Sequence, residues 1–217
     1  MNISYASQDQ PRGIAEAPLI AADFLDDAPF ALALGDNIFW GAAFDGCLDD
    51  ALGSHRGGTV FVKQVENPER YGVLAFDETV QPGSIVEKPG DPQSAFAVTG
   101  LYFFDSSALS IARDLKPSAR GEIEITDINN AYLAAGRLSV AQLPDDVTWM
   151  DMGTPQGLLE ASQLVEAEQR RQNVRIGVPE EVAFRNGWVG VGDLERIAAT
   201  YGENDYGGYL RTLIKNG

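Results

Sequence analysis

Up to Asp151 the apolar residues of this chain fall in short runs and alternations, and beyond Pro155 they recur at helical spacing. Ile3 to Ser7 alternates as a strand does, and Ile14 through Leu25 carries an apolar face of helical period, with Pro18 early, where a missing N–H costs a helix least. Phe30 to Leu34 is a continuous apolar run that stops at Gly35-Asp36, a pattern that predicts a central parallel strand covered on both faces. Thr59 to Val65, Val73 to Phe76, Ser84 to Val86 and Ala97 to Phe104 predict further strands, divided by turn signals at Asn67-Pro68, Asp77-Glu78 and Lys88-Pro89. Helices are predicted from Ser107 to Leu115 and from Thr126 to Ala135, the second stopped by Gly136. Leu138 to Leu143 and Val147 to Met150 complete the strands. Pro155 to Gln172 then reads as a long amphipathic helix, followed by helical periods over Glu180 to Arg185, Asp193 to Tyr201 and Tyr206 to Ile214. Alternating elements followed by helices alone predict an α/β domain over 1–154 and a helical region over 155–217 that packs on it or on another subunit.

With 217 residues, 44% of them hydrophobic, the chain can bury a real core. Its formal charge of −16 excludes long-range attraction to nucleic acid or anionic lipid, which needs clustered Lys and Arg. Partners are therefore small molecules or protein chains, and a phosphate ligand would require a local metal ion or a few inward-pointing cations. The single cysteine, Cys47, reads as a small half-buried side chain, forbids an internal disulfide and fits a reducing compartment. Met1 to Tyr5 has neither a basic start nor an apolar stretch, and no run reaches spanning length, so a cytoplasmic location is expected.

Candidate chemistry begins at Asp36. Open α/β sheets bind ligands beyond the carboxyl ends of their strands, and Asp36 directly follows an apolar strand. A second carboxylate, Asp151 in Trp149-Met150-Asp151-Met152-Gly153-Thr154, would complete the sparse oxygen shell that Mg²⁺ accepts; singly, each also reads as a turn or capping aspartate. In Asn67-Pro68-Glu69-Arg70-Tyr71-Gly72-Val73 an aromatic ring beside a glycine offers a surface for a sugar, or a packed Tyr in a Pro-initiated loop. Glu87 and Lys88 point to opposite faces while the strand lasts, so they serve one ligand only if the strand ends there. Ser118 to Asp127 leads into a helix with Thr126 as its cap, and Arg120 and Glu124 could bear on a ligand or fix the loop. His55, in a polar glycine-flanked turn, is assigned no role.

In order and spacing, Leu34-Gly35-Asp36-Asn37-Ile38-Phe39, Asn67 to Val73, Val98-Thr99-Gly100-Leu101-Tyr102-Phe103, Leu115 to Asn129, Trp149 to Thr154 and Pro179 to Arg185 resemble the glucose-1-phosphate thymidylyltransferases, sugar nucleotidyltransferases that make dTDP-glucose for dTDP-rhamnose synthesis. The resemblance runs through essentially the whole chain. It implies a Rossmann-like mixed sheet flanked by helices, in which Asp36 and Asp151 hold Mg²⁺ and Gln8 and Gly13 read the thymine of dTTP. Tyr71, Gly72, Glu87, Lys88, Val98 and Gly100 would line the glucose 1-phosphate pocket, with Trp149 close by. Lys88 would steady the attacking phosphate, with Asp36 and Asp151 catalytic through the metal, and the helical tail would serve a homo-oligomer, tetrameric in the family, and a regulatory nucleotide site.

The family opens with a strand and a glycine-rich loop ending in Thr-Arg, followed by a lysine, and none of these stands ahead of Gln8 here. Relative to the family the chain reads as N-terminally truncated, which removes preorganised donors for the triphosphate and predicts impaired turnover and an exposed sheet edge. A noncatalytic sugar-nucleotide binding or assembly subunit, or a decayed fragment, is the competing expectation. Trp40 and Met152 stand where the family commonly has Tyr and Thr, and Pro18 replaces an ordinary helix residue.

Overall fold

The computed structural model describes residues 2–53, 57–78 and 81–216. His55 lies outside them. The chain divides into two units, Met1–Gly157 and Leu158–Gly217.

In chain order the elements are α1 (Ala17–Ile20), α2 (Ala22–Leu25), β1 (Phe30–Ala33), β2 (Asn37–Trp40), α3 (Phe44–Gly53), β3 (Gly58–Gln64), β4 (Gly72–Phe76), β5 (Pro82–Glu87) and β6 (Phe96–Phe104). They continue as α4 (Ser107–Asp114), α5 (Ile125–Ala134), β7 (Leu138–Gln142), β8 (Thr148–Asp151), α6 (Pro155–Gln172), α7 (Pro179–Arg185), α8 (Val191–Thr200) and α9 (Asp205–Asn216). The main sheet runs β5-β4-β6-β3-β7, with β1 also on β6, and only the β3–β7 pair is parallel. Beside it β2 and β8 form a two-stranded antiparallel ribbon.

The strand buried on both faces is β6, eight of whose nine residues are buried. Its even positions Val98, Tyr102 and Phe104 join Val60, Leu74, Ile85, Ile128 and Tyr132 in one core, and its odd positions Leu101 and Phe103 join Phe61, Leu143 and Val147 in another. The expected central parallel strand at Phe30 to Leu34 is instead an antiparallel strand that pairs, among the described residues, with β6 alone. The physical reason is in its side chains. Phe30, Leu32 and Leu34 face inward while the small Ala31 and Ala33 face out, so a period of two was hidden in a run of apolar letters.

Other expectations also change. Ile3 to Ser7 is exposed and unpaired rather than a strand. Ile14 through Leu25 is not one helix but a 3₁₀ turn, Ile14–Glu16, followed by α1 and α2; Pro18 sits at the start of α1, where its ring is tolerated, and Asp26 closes α2 in the left-handed region at φ 47°. Thr126 lies inside α5 and does not cap it, since Glu124 takes the N-cap position. Strand β2 and helix α3 had no counterpart in the sequence reading.

The second unit has its own small core, Val178, Leu194, Ala198 and Leu210. Its α7 is tied to neighbours by carboxylate–phenol bonds: Tyr201 and Tyr206 donate to Glu180 at 3.1 and 2.6 Å, and Tyr209 to Glu181 at 2.6 Å. Burial alone would raise Glu180, but the Tyr206 phenol, a backbone N–H and the Tyr201 phenol together outweigh it and hold the carboxyl below its ordinary value. No described helix is long and apolar enough to cross a membrane.

Candidate active site

The candidate pocket exists because β6 changes partner along one edge. At Val98 that edge pairs with Gly72 of β4, and at Leu101 it pairs with Ala33 of β1. The β1 side of the ladder ends where the Leu34 N–H donates to the Gly100 carbonyl at 2.8 Å, and between there and Val98, at Thr99 and the Gly100 N–H, the sheet opens. The Asn37 side chain fills the gap, its Oδ1 accepting the Gly100 N–H at 3.0 Å and the Trp149 Nε1–H at 2.6 Å while its Nδ2 donates to Asp36 Oδ1 at 2.9 Å. A Cβ on Gly100 would lie 2.6 Å from the Asn37 side chain, so this position has no room for one.

The ribbon brings the two aspartates together. Its register sets Asn37 opposite Asp151, and the Met152 N–H donates to the Asp36 carbonyl at 2.7 Å. Asp151 Oδ1 accepts the Gly153 N–H at 2.9 Å. A Cβ at Gly153 would stand 3.0 Å from Asp151 Oδ1 and 3.5 Å from Asp36 Oδ2, so both carboxylates share one rim. Both line a pocket of about 160 Å³, below the roughly 300–1,000 Å³ usual for small-molecule sites. Among the described residues no third His, Cys, Asp or Glu joins the pair in a metal-binding group. Two carboxylates alone suit a hard, hydrated ion of the Mg²⁺ type, which keeps waters and takes substrate oxygens, and not a closed protein cage.

The opposite wall comes from β5, α5 and the turn before β4. Glu87 ends β5 opposite Gly72, and Lys88 turns out of the strand at φ 43°. That left-handed residue resolves the problem of opposite faces, because Glu87 and Lys88 now line the same pocket. Thr126 donates to Glu87 Oε2 at 2.6 Å, Arg120 stands 3.6 Å from Glu87 Oε1 and 3.2 Å from Glu124, and a Cβ at Gly72 would press within 3.3 Å of both Thr126 and Glu87. Arg120 and Glu124 thus fix the loop and hold Glu87. The Tyr71 and Trp149 rings meet at 4.9 Å, tilted by 59°, forming an aromatic edge to the pocket.

Val98 and Gly100 line the pocket as expected positions, as do Tyr71, Gly72 and Trp149. Gln8 and Gly13 are not among the lining residues. Gln8 donates to Gly13 O at 3.2 Å and to Glu16 Oε2 at 2.6 Å, and Arg12 pairs with Glu16, a polar cluster one residue from Ile14 on the pocket wall. Gly13 has φ 117°, and a Cβ there would lie 2.2 Å from the Ile123 carbonyl, so glycine is required where this segment crosses 122–124. Sequence reasoning missed Asn37 and Arg70 as individual residues, Thr126 as a wall residue, and Tyr102. Tyr102 is 4% exposed in the pocket wall, and burial and then the Glu87 charge push the pKa of its phenol up, so the hydroxyl stays neutral.

The nucleotidyl transferase family profile matches residues 1–168, the stretch that carries both the mixed sheet and the pocket. The glucose-1-phosphate thymidylyltransferase of Neisseria meningitidis serogroup A is 47% identical over 99% of this chain and 75% of its own length, and that of Xanthomonas campestris pv. campestris 48% identical over 100% and 74%. A solved Bacillus anthracis protein assigned to the same activity, in complex with sucrose, superposes with TM-score 0.65 at 39% identity over 74% of this chain and 64% of that one. A UDP-glucose pyrophosphorylase solved with UDP-glucose superposes at 0.68 with 25% identity, over 76% and 66%. The chain belongs to the glucose-1-phosphate thymidylyltransferase family, and it spans about three quarters of the length of the curated relatives it matches.

Proposed function

We propose that this pocket serves thymidylyl transfer: a phosphate oxygen of glucose 1-phosphate attacks the α-phosphorus of dTTP, pyrophosphate leaves, and dTDP-glucose forms. The observation that carries the reading is the sharing of one pocket by the Asp36–Asp151 rim and the Glu87–Lys88 strand end. The reaction needs alignment and charge neutralisation more than a protein nucleophile. Lys88 neutralises and orients the attacking phosphate. Glu87, itself oriented by Thr126 and Arg120, accepts from sugar hydroxyls, while Tyr71 and Trp149 cover the ring. Asp36 and Asp151 fit a divalent ion, Mg²⁺ in this reading, which when bound supplies charge neutralisation for the phosphates. The Gln8 and Gly13 segment is the proposed reader of thymine.

Two measurements test this: pyrophosphate release from dTTP with glucose 1-phosphate, run beside UTP, and calorimetric binding of dTDP-glucose. A preference for dTTP of about tenfold or more is expected. Preference for UTP, or silence in both assays, rejects the reading. Binding without turnover would replace it with a noncatalytic sugar-nucleotide subunit.

A further inference from the structure

Arg70 is a pocket-lining cation that the proposed chemistry leaves unused. It ends the 3₁₀ turn Pro68–Arg70, its guanidinium carbon lies 5.5 Å from the centroid of the Tyr71 ring, and its Nη2 stands 3.8 Å from Asp151 Oδ2. That distance exceeds a hydrogen bond, so the aromatic face, not the carboxylate, sets where the guanidinium sits. Asp151 Oδ1 already accepts the Gly153 N–H, which leaves Oδ2 as the oxygen turned toward a cation, and among the described residues Arg70 makes the one ion pair of Asp151. The pair is partly solvated, with side-chain exposures of 47% and 22%, so it can exchange at little cost.

We propose that Arg70 is a charge-balancing positioning residue that competes with the divalent ion for Asp151 and, once displaced, turns its N–H fork to the phosphate of the sugar substrate. The proposal rests on the metal and sugar-phosphate reading above. A fixed positive charge beside Oδ2 opposes binding of a second cation there, and the Tyr71 face keeps the released guanidinium over the pocket, where its planar donors match phosphate oxygens in pairs. Arg70 therefore acts with opposite sign on the two ligands: it weakens the metal and strengthens the sugar phosphate.

The test uses Mn²⁺ as the probe ion, with binding read by calorimetry or by electron spin resonance in the absence of substrate, and glucose 1-phosphate binding read at saturating Mn²⁺. Arg70→Met, which keeps the apolar stem over Tyr71, should tighten Mn²⁺ by about three- to tenfold and weaken glucose 1-phosphate by about tenfold or more. Arg70→Lys should keep Mn²⁺ near wild type yet still weaken the sugar phosphate, because the charge remains and the fork is lost. Mn²⁺ affinity unchanged or reduced in Arg70→Met overturns the proposal, as does a parallel loss of both ligands with a fall in melting temperature, which marks a purely structural residue. Asp151→Asn separates the two levels of failure. If wild-type Mn²⁺ binding does not weaken in that variant, the metal reading itself fails; if it does weaken and Arg70→Met changes nothing, only the role of Arg70 fails.

Discussion

Asp36, which follows β1 after Leu34 and Gly35, and Asp105, which directly follows β6, both come after apolar strands, and they lie at opposite ends of the sheet because β1 and β6 run antiparallel. Asp105, after β6, is fully engaged: Tyr132 donates to its Oδ1 at 2.7 Å, the Ser107 N–H donates at 2.9 Å, and Arg137 forms an ion pair with it while lying over the Tyr132 ring. Burial alone would raise its carboxyl, yet Tyr132, Ser107 and Arg137 together hold it below the ordinary range. Asp36, after β1, is exposed and anchored by the neighbouring Asn37 amide, with its backbone carbonyl tied to Met152. Its partner Asp151 has one backbone donor and a loose arginine. The same sequence signal thus yields a structural knot in one place and an under-coordinated acid in the other. What separates them is the number of donors that the tertiary structure delivers.

If that distinction is right, neutralising the two kinds of acid has different consequences. Asp151→Asn should lower transfer by about a hundred- to a thousandfold and leave the melting temperature within about 2 °C, because little folding energy rests on it. Pyrophosphate release and a thermal melt on the same preparation check both halves. A large loss of stability in this variant would erase the contrast. Asp105→Ala should do the reverse, costing about 2–3 kcal/mol of stability by stranding the Tyr132 hydroxyl and Arg137, with transfer per folded molecule unchanged. Its pH dependence sharpens the point. A carboxyl held low contributes stability above its unfolded value of about 4 and loses it as pH falls through the folded value, so the gap between wild type and Asp105→Ala should be full at neutral pH and shrink in acid.

How much of this could be read from the letters follows the same line. The strands from Thr59 onward, the long helix Pro155–Gln172 and the stop at Gly136 were legible because each is a local property of period or turn chemistry, whereas the alternation at Ile3 to Ser7 misled because among the described residues no partner strand pairs with it. The convergence of Asp36 and Asp151 was anticipated through family likeness; the local cause, strand β2, was not, since Asn37 to Trp40 is four half-buried residues with no alternation to betray it. Thr126 reads locally as a cap and is instead a wall residue inside α5, because its hydroxyl found Glu87 at the end of β5, a contact 39 positions away. Lys88 shows the limit most plainly. Strand logic sends it away from Glu87, and only the left-handed backbone at φ 43° returns it, a conformation that a lysine does not announce.

A smaller effect tests whether the sheet opening itself is built around Asn37. In Gly100→Ala the new methyl would meet the Asn37 side chain at 2.6 Å, and the amide must move, releasing the Trp149 indole and the Gly100 N–H. The expected result is about a tenfold loss in kcat/KM with quenching of the Trp149 fluorescence change on sugar-phosphate binding. Restored activity in Gly100→Ala combined with Asn37→Ala would show that the clash alone was responsible. Unchanged kinetics in the single variant would mean that Asn37 does not position Trp149 for the ligand.

The smallest expected effect dissects the Asp105 knot. Tyr132→Phe removes one donor and leaves Arg137 and Ser107 in place, so it should cost about 1 kcal/mol, less than Asp105→Ala. Burial and then the Asp105 carboxylate push the Tyr132 phenol up, and a group raised on folding stabilises below its unfolded value, about 10, and ceases to do so as pH climbs toward the folded value. Wild type should therefore lose stability above about pH 10 in a way that Tyr132→Phe does not, and the two melting curves should converge there. Curves that stay parallel from neutral pH into alkali would leave the phenol with packing alone and assign the stabilisation of the knot to Ser107 and the Asp105–Arg137 pair.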